Sequence, residues 1–322
     1  MKAAVLHQFG DLPHYEDFPD PIPGEGEILI QVQAVPLENV DKAMAEGTHF
    51  ASRQFLSTLP AIVGFDGLGR LDDGRLVGFG GMKAPYGAMA EKAVVPQGYI
   101  VPVPDGIDAV TAAAMPASAL TSLFPLKWGA KLQPGETVLI NGATGVAGKL
   151  TVQIAKLLGA GRVIGTGRNP QSLKKVLELG ADAVIDLTQP DAELAESFKR
   201  EAGKGYDVIL DFLWGHPTEV LIQTLVPSEL SSARGRIRLV QIGEKAGATI
   251  SLSADSLRTS GLEIFGGAAG LTPEAMGEGV EQVYDLIRSR ALQMEIEQVP
   301  LKDIESVWKR ADFEGKRIIV IP

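Results

Sequence analysis

One stretch of this 322-residue chain restricts its fold more than any other. Residues 136–169, "ETVLINGATGVAGKLTVQIAKLLGAGRVIGTGRN", run through an apolar extended segment, a turn of small residues, an apolar-periodic helix and a second apolar segment. Strands joined through a helix pair in parallel, because a tight turn can link only antiparallel neighbours. The alternation continues downstream. Strands are expected at 137–141, 162–166, 183–186, 208–211 and 236–241, with helices at 146–158, 170–179, 191–201 and 217–225. The strands are continuous apolar runs, as sheets covered on both faces require. This predicts a doubly wound α/β domain, with 262–267 as a sixth strand.

The turn carries two overlapping patterns. Ala143, Gly145 and Gly148 spell A-x-G-x-x-G, a variant of the dinucleotide fingerprint. In it the first small residue permits the turn, the second admits a pyrophosphate and the third packs helix on strand. Thr144 and Val146 complete the loop, Asn141 ends the strand before it, and the helix N-terminus offers unpaired N–H groups. Ala143 to Lys149 also spells A-x-x-x-x-G-K, nearly a triphosphate loop. That reading needs Ser or Thr after the lysine to hold Mg²⁺, and Leu150 stands there. Asp211, ending a later strand, keeps nucleotide hydrolysis open as an alternative.

A ribose-binding acid is expected about 20 residues beyond the turn in an NAD site. Here Gly167, Arg168 and Asn169 occupy that place. Glycine leaves room, Arg168 can bond a 2′-phosphate, and Asn169 adds a donor. The expected cofactor is NADPH. Read otherwise, Arg168 is an ordinary surface arginine.

The first third differs in texture. "GEILIQVQAV" sets Ile28, Ile30, Val32 and Ala34 against Leu29, Gln31 and Gln33, a strand period, and short strands recur between Gly and Pro turns. A β-rich unit is expected there, with a barrel as one form of it. Residues 108–129 suit a helix, capped at Asp108 or Thr111 and interrupted by Pro116 and Pro125. The tail offers a helix from 273 and a closing strand, "KRIIVIP", which is expected to return to the first unit. The boundaries are drawn at 1–117 with 267–322, and 118–266.

A net charge of −10 supplies no basic footprint for nucleic acid or an anionic membrane. The chain has no cysteine, which excludes disulfides, thiolate catalysis and cysteine-ligated zinc. "MKAAVLHQFG" lacks a signal-peptide core, and no stretch is expected to reach the roughly 20 apolar residues of a membrane span. A soluble cytoplasmic protein is expected.

Pieces in a fixed order, among them "PGEGEILIQVQAV", "VGFDGLGRL", "PYGAMAEKAVVP", "MPASALTSL", "GATGVAGKLTVQIAKLLGA", "LGADAVID" and "GKRIIVIP", resemble the medium-chain dehydrogenase/reductase superfamily, in its zinc-free quinone oxidoreductase-like branch. The resemblance spans nearly the whole chain. It implies a GroES-like β-barrel catalytic domain with an inserted Rossmann domain, and a homodimer that uses NADPH to reduce a quinone, enone or related conjugated carbonyl. Glu38 replaces the family's usual asparagine, Asn39 follows it, and "GTHF" stands where some relatives carry tyrosine. The linker before Tyr86 is short.

Without zinc, catalysis rests on positioning and on a donor to the developing oxyanion. His49 is the candidate donor, against an exposed loop histidine. Asn39 is the candidate to orient the carbonyl, against a loop-capping amide. Tyr86 lines the pocket or packs the barrel, and Asp41 caps a helix. Thr121 reaches the cofactor or caps a turn. Leu213 or Trp214 walls the site. Gly243, Gly266 and Gly267 lie near the cofactor or are turns needing positive φ. No metal ligands are expected, because His7, His14, His49 and His216 are scattered. A non-catalytic NADPH sensor with the same fold is the other alternative.

Overall fold

In the computed structural model, which describes residues 1–227, 235–311 and 313–322, the expected alternation is realised strand for strand. Two units form, Met1–Pro116 with Glu295–Pro322, and Ala117–Met294.

The second unit is built on six parallel strands. In chain order they are Thr137–Asn141, Arg162–Gly167, Ala183–Asp186, Val208–Asp211, Ile237–Gln241 and Leu262–Gly266. Across the sheet they run third, second, first, fourth, fifth, sixth. The chain reverses its direction of winding between the first and fourth strands, where ligands bind at the carboxyl ends. Val138, Leu139 and Ile140 are all buried, as are Val208, Ile209 and Leu210, so no alternation was there to be read. Helices Val146–Leu157, Pro170–Glu178, Asp191–Ala202 and Gly215–Leu225 connect the strands. The last begins two residues before the expected Pro217, because proline in a first turn breaks no helical bond.

The unit's far boundary lies after Met294 and not at 267. Helix Pro273–Arg288 stays with the nucleotide-fold sheet. A side chain on Gly279 would meet Phe124 at 3.0 Å, and the Gln153 amide bonds both the carbonyl (3.0 Å) and the N–H (2.7 Å) of Gln293. Residues 109–129 also correct an expectation. This 21-residue stretch is long and apolar enough to cross a bilayer, yet 61% of its most apolar window is buried inside the protein, as in a core helix. It is Ala109–Ala114, capped by Asp108 on Thr111 N at 2.9 Å, then Pro116–Phe124 and a wide turn Pro125–Gly129. Both prolines start new segments.

The first unit is centred on the long strand Glu27–Leu37. Its inward residues Ile30, Val32 and Ala34 are buried while Gln31 and Gln33 are exposed, as the period demanded. Lys92–Pro96 pairs with its first half and Asp66–Arg70 with its middle. A register shift between Val32 and Ala34 turns its end toward Arg317–Ile321 from the chain terminus. A smaller antiparallel sheet joins Lys2–Leu6 to His14–Asp17 and Ala61–Ile62.

An ion pair locks the terminal strand to the end of the long one. Arg317 Nη1 lies 2.8 Å from Glu38 Oε1, and both side chains are largely buried. Removing one partner of such a pair leaves the other charge in a dry site, at a cost of about 3–5 kcal/mol. Arg317→Ala is therefore expected to lower the melting temperature well beyond a surface arginine change such as Arg75→Ala. Arg317→Met with Glu38→Leu should recover part of the loss. Equal melting curves for Arg317→Ala and wild type would refute the clamp.

Candidate cofactor cradle and acceptor-side residues

The glycine turn shows a division of labour that the sequence reading placed one residue off. Gly142, not Ala143, takes the left-handed conformation, with φ +97°. Ala143 is fully buried beneath the turn. Gly148 serves as expected, since a Cβ there would lie 2.3 Å from Gly142 O and 2.7 Å from Ala143 Cα. Gly145 is the N-cap of helix Val146–Leu157 and is exposed, with only Gly142 O within 4 Å of the space a Cβ would take. The unpaired N–H groups of the first helical turn thus open to an anion. Thr144 packs on Gly167, where a Cβ would meet Thr144 Cγ2 at 2.3 Å. A larger residue at 167 would push the turn away from the second strand.

Arg168 follows that strand, is exposed, and makes no hydrogen bond or ion pair among the described residues. Asn169 instead caps helix Pro170–Glu178, its Oδ1 accepting from Ser172 N at 3.0 Å. Asn141 does not face a ligand. Its Nδ2 donates to Asp211 Oδ1 (3.1 Å) and Thr218 Oγ1 (3.2 Å), and its Oδ1 accepts from Thr166 Oγ1 (2.8 Å), all buried.

Asp211 and Lys149, the two residues of the triphosphate reading, are both buried. The Asp211 carboxylate is filled by donors from Asn141, Leu213 N, Trp214 N and Thr218. It is fully buried and offers Mg²⁺ no exposed oxygen, so nucleotide hydrolysis loses its second part.

Gly243 and Gly266 lack positive φ, contrary to their reading as strained turns, and so does Gly267. Gly243 is a close approach, where a Cβ would meet Phe212 O at 2.6 Å, while Gly266 borders open space. Leu213 abuts Gly142, with its Cδ2 3.0 Å from the position of a Cβ there. Thr121 caps no turn. Its hydroxyl donates to Ala117 O within its own helix at 2.8 Å.

In the first unit, Asp41 and Tyr86 line one cleft with Met44, Phe55, Ile62 and Phe65. Its water-accessible space is only about 30 Å³. Tyr86 also packs edge-on against Phe18, at 5.8 Å between ring centres, so it both packs and lines. His49 stands outside that lining. Its Nδ1 accepts from Ala51 N at 3.2 Å, which in the neutral ring leaves the proton on Nε2, and its ring stacks on Phe50, which is 95% exposed. Asn39 is the exposed first residue of helix Asn39–Glu46, and its side chain makes no capping bond. Asp41 does cap it, accepting from Glu38 N at 2.8 Å.

The zinc donor set does not fit. The chain has no cysteine, and among the described residues no three His, Asp or Glu side chains group as metal ligands. His7, His14 and His216 instead bond Glu16, Glu305 and Asp191.

Sequence reasoning missed an acid cluster. Burial, then the neighbouring Glu38 charge, pushes the Asp41 carboxyl well above its usual range. The same causes in the same order raise Asp66 to about 7, with Arg317 opposing. Glu38 in the place of asparagine was the signal available, since it adds the charge that both carboxyls feel.

Between about pH 4 and 7 the folded protein keeps a proton on Asp66 that the unfolded chain has lost. This contribution to stability is full below the unfolded value and is lost as pH rises through about 7. Asp66→Asn should thus melt higher than wild type at pH 8, by ~2 °C or more, and the gap should close toward pH 4. Parallel pH profiles of melting temperature would refute it.

Comparison with known proteins agrees with this geometry. A family profile described as zinc-binding dehydrogenase matches residues 147–284. The quinone oxidoreductase of Pseudomonas aeruginosa is 26% identical over 298 residues, covering 88% of this chain and 86% of the relative. The crystal structure of the Thermus thermophilus quinone oxidoreductase, also solved in complex with NADPH, is 30% identical, covers all of both chains and superposes with a TM-score of 0.78. The Escherichia coli quinone oxidoreductase complexed with NADPH shares the fold at a TM-score of 0.83, 22% identity and full coverage of both chains. With its sheet order, its glycine turn and the full-length Thermus thermophilus relative at 30% identity, this chain belongs to the medium-chain dehydrogenase/reductase superfamily, in its quinone oxidoreductase-like branch.

Proposed function

We propose that the chain is an NADPH-dependent oxidoreductase that delivers hydride, without zinc, to a quinone, enone or related conjugated carbonyl. The observation that carries this reading is Arg168. A guanidinium with no partner among the described residues stands at the carboxyl end of the second strand, beside Gly167, where an NAD site would place an acid. The chain's net charge of −10 makes such a local cation necessary for a polyanionic cofactor. The relatives named above are quinone oxidoreductases, two of them with structures containing NADPH.

The bound cofactor supplies the hydride. The chain's own residues do the rest. The N–H groups after Gly145 hold the diphosphate, and Arg168 holds the 2′-phosphate. Leu213 and Gly243 edge the cleft at the switch point, with Gly266 beside open space. Thr121, whose hydroxyl proton is committed to Ala117 O, retains an acceptor lone pair for a ribose hydroxyl. On the acceptor side the His49 Nε2–H is the donor to the oxygen that gains charge, and Asn39, its amide uncommitted among the described residues, orients the carbonyl. Tyr86 shapes the apolar cleft it lines. A quinone needs no carbon protonation after hydride transfer, whereas an enone takes its proton from water.

The protein acts on small molecules, and we propose that it works as a cytoplasmic homodimer, with the edge strand Leu262–Gly266 as the natural site of sheet pairing.

The test is a titration of wild type and Arg168→Ala with NADPH and NADH, followed by cofactor fluorescence, and an acceptor screen over quinones, enones and aldehydes. Losing charge-assisted bonds of about 1.5–3 kcal/mol should weaken NADPH ten- to hundredfold, toward NADH, while NADH is unmoved. Equal NADPH affinity in the variant would remove the phosphate role. NADPH binding without acceptor-dependent oxidation would turn the reading to a sensor.

A further inference from the structure

One buried aspartate is tied to several of the segments that border the proposed cradle. Asp211 ends the fourth strand and has no exposed surface. Its Oδ1 accepts from Leu213 N (2.9 Å), Trp214 N (3.0 Å) and Asn141 Nδ2 (3.1 Å), and its Oδ2 from Thr218 Oγ1 (2.6 Å). Its main-chain oxygen accepts from Ile242 N (2.8 Å) and Gly243 N (3.1 Å). Asn141 extends the network. Its Oδ1 holds the Thr166 hydroxyl, whose oxygen accepts from Gly142 N at 2.9 Å. The loops after the fourth and fifth strands thus meet on Asp211, and the glycine turn is linked to it through Thr166 and Asn141.

The loop after the fourth strand needs that hold. Trp214 adopts φ +55°, a conformation that bulky residues avoid. Gly215 follows at φ +64°, where a Cβ would meet Ala246 O at 2.7 Å. The two N–H bonds onto Oδ1 and the Ala246 N–H on Leu213 O (2.8 Å) keep this chain path in place. The path sets Leu213 against Gly142. A shift of the loop therefore moves a wall of the glycine turn.

We infer that Asp211 is the positioning residue of the cofactor site, setting through its four carboxylate bonds where the glycine turn and the Leu213–Trp214 loop stand relative to each other. This rests on the cofactor reading above. Four donors converge on two oxygens with no water needed, and each loses its acceptor if the carboxylate goes.

Three variants test it. Asp211→Ala removes the four carboxylate bonds and leaves the two main-chain ones. Asp211→Asn keeps Oδ1 for its three N–H donors and offers an N–H to Thr218 Oγ1, so it should rescue. Thr218→Val removes the bond to Oδ2 and the one that Thr218 Oγ1 accepts from Asn141 Nδ2. On folded protein, the NADPH dissociation constant and the cofactor KM should rise about 10- to 100-fold for Asp211→Ala. Thr218→Val should show a smaller rise and Asp211→Asn should stay near wild type, with the acceptor KM unmoved in all three. A lowered melting temperature with wild-type NADPH affinity would make Asp211 a fold residue only and overturn the inference. If Asp211→Ala does not fold, Thr218→Val decides, and wild-type cofactor affinity there overturns it. Wild-type protein that binds no NADPH overturns the cofactor reading itself, and this inference with it.

Discussion

A helix can offer its unpaired N–H groups to an anion only where the strand that feeds it turns within a few residues. Here that turn depends on one contact, the seating of Gly148 against Gly142 O and Ala143 Cα, where any side chain would collide with backbone. The left-handed Gly142, the buried Ala143 and the exposed Gly145 follow from that seating. So does the need for a small residue at 167, since Thr144 leans on it. The turn is a packing solution first, and the proposed anion site follows from it.

The same turn could have served two chemistries, and burial chose between them. A triphosphate loop needs an exposed lysine and a free metal-binding carboxylate. Lys149 and Asp211 are both buried, and the Asp211 carboxylate accepts from four donors of the protein itself. What remains exposed is Gly145 and Arg168, a pairing suited to a diphosphate and a separate phosphate.

The first unit balances charge differently. Glu38, Asp41 and Asp66 crowd around Arg317, so three carboxyls share one cation in a dry setting. One carboxylate is paired, and burial holds the other two toward their neutral forms. The arrangement joins strand Arg317–Ile321 to the end of Glu27–Leu37 and caps helix Asn39–Glu46 at the edge of the apolar cleft. Stability and the cleft's electrostatics are therefore set by the same four residues.

The sequence by itself determined the parallel sheet, because buried parallel strands must be continuous apolar runs and their helices must carry a 3.6-residue period. It also carried the signal for the proposed phosphate preference, since Gly167 and Arg168 are adjacent in the chain and that reading follows from residue type. Tertiary structure decided what depends on distant partners. Asn141 and Asn169 read as ligand contacts, yet one is consumed by Asp211, Thr218 and Thr166 and the other by a helix cap. The acid cluster was illegible because Arg317 lies far along the chain from Glu38. The boundary at Met294 turned on two hydrogen bonds between Gln153 and Gln293. Local pattern specifies elements, while the pairing of buried polar groups is settled only when packing has chosen their neighbours.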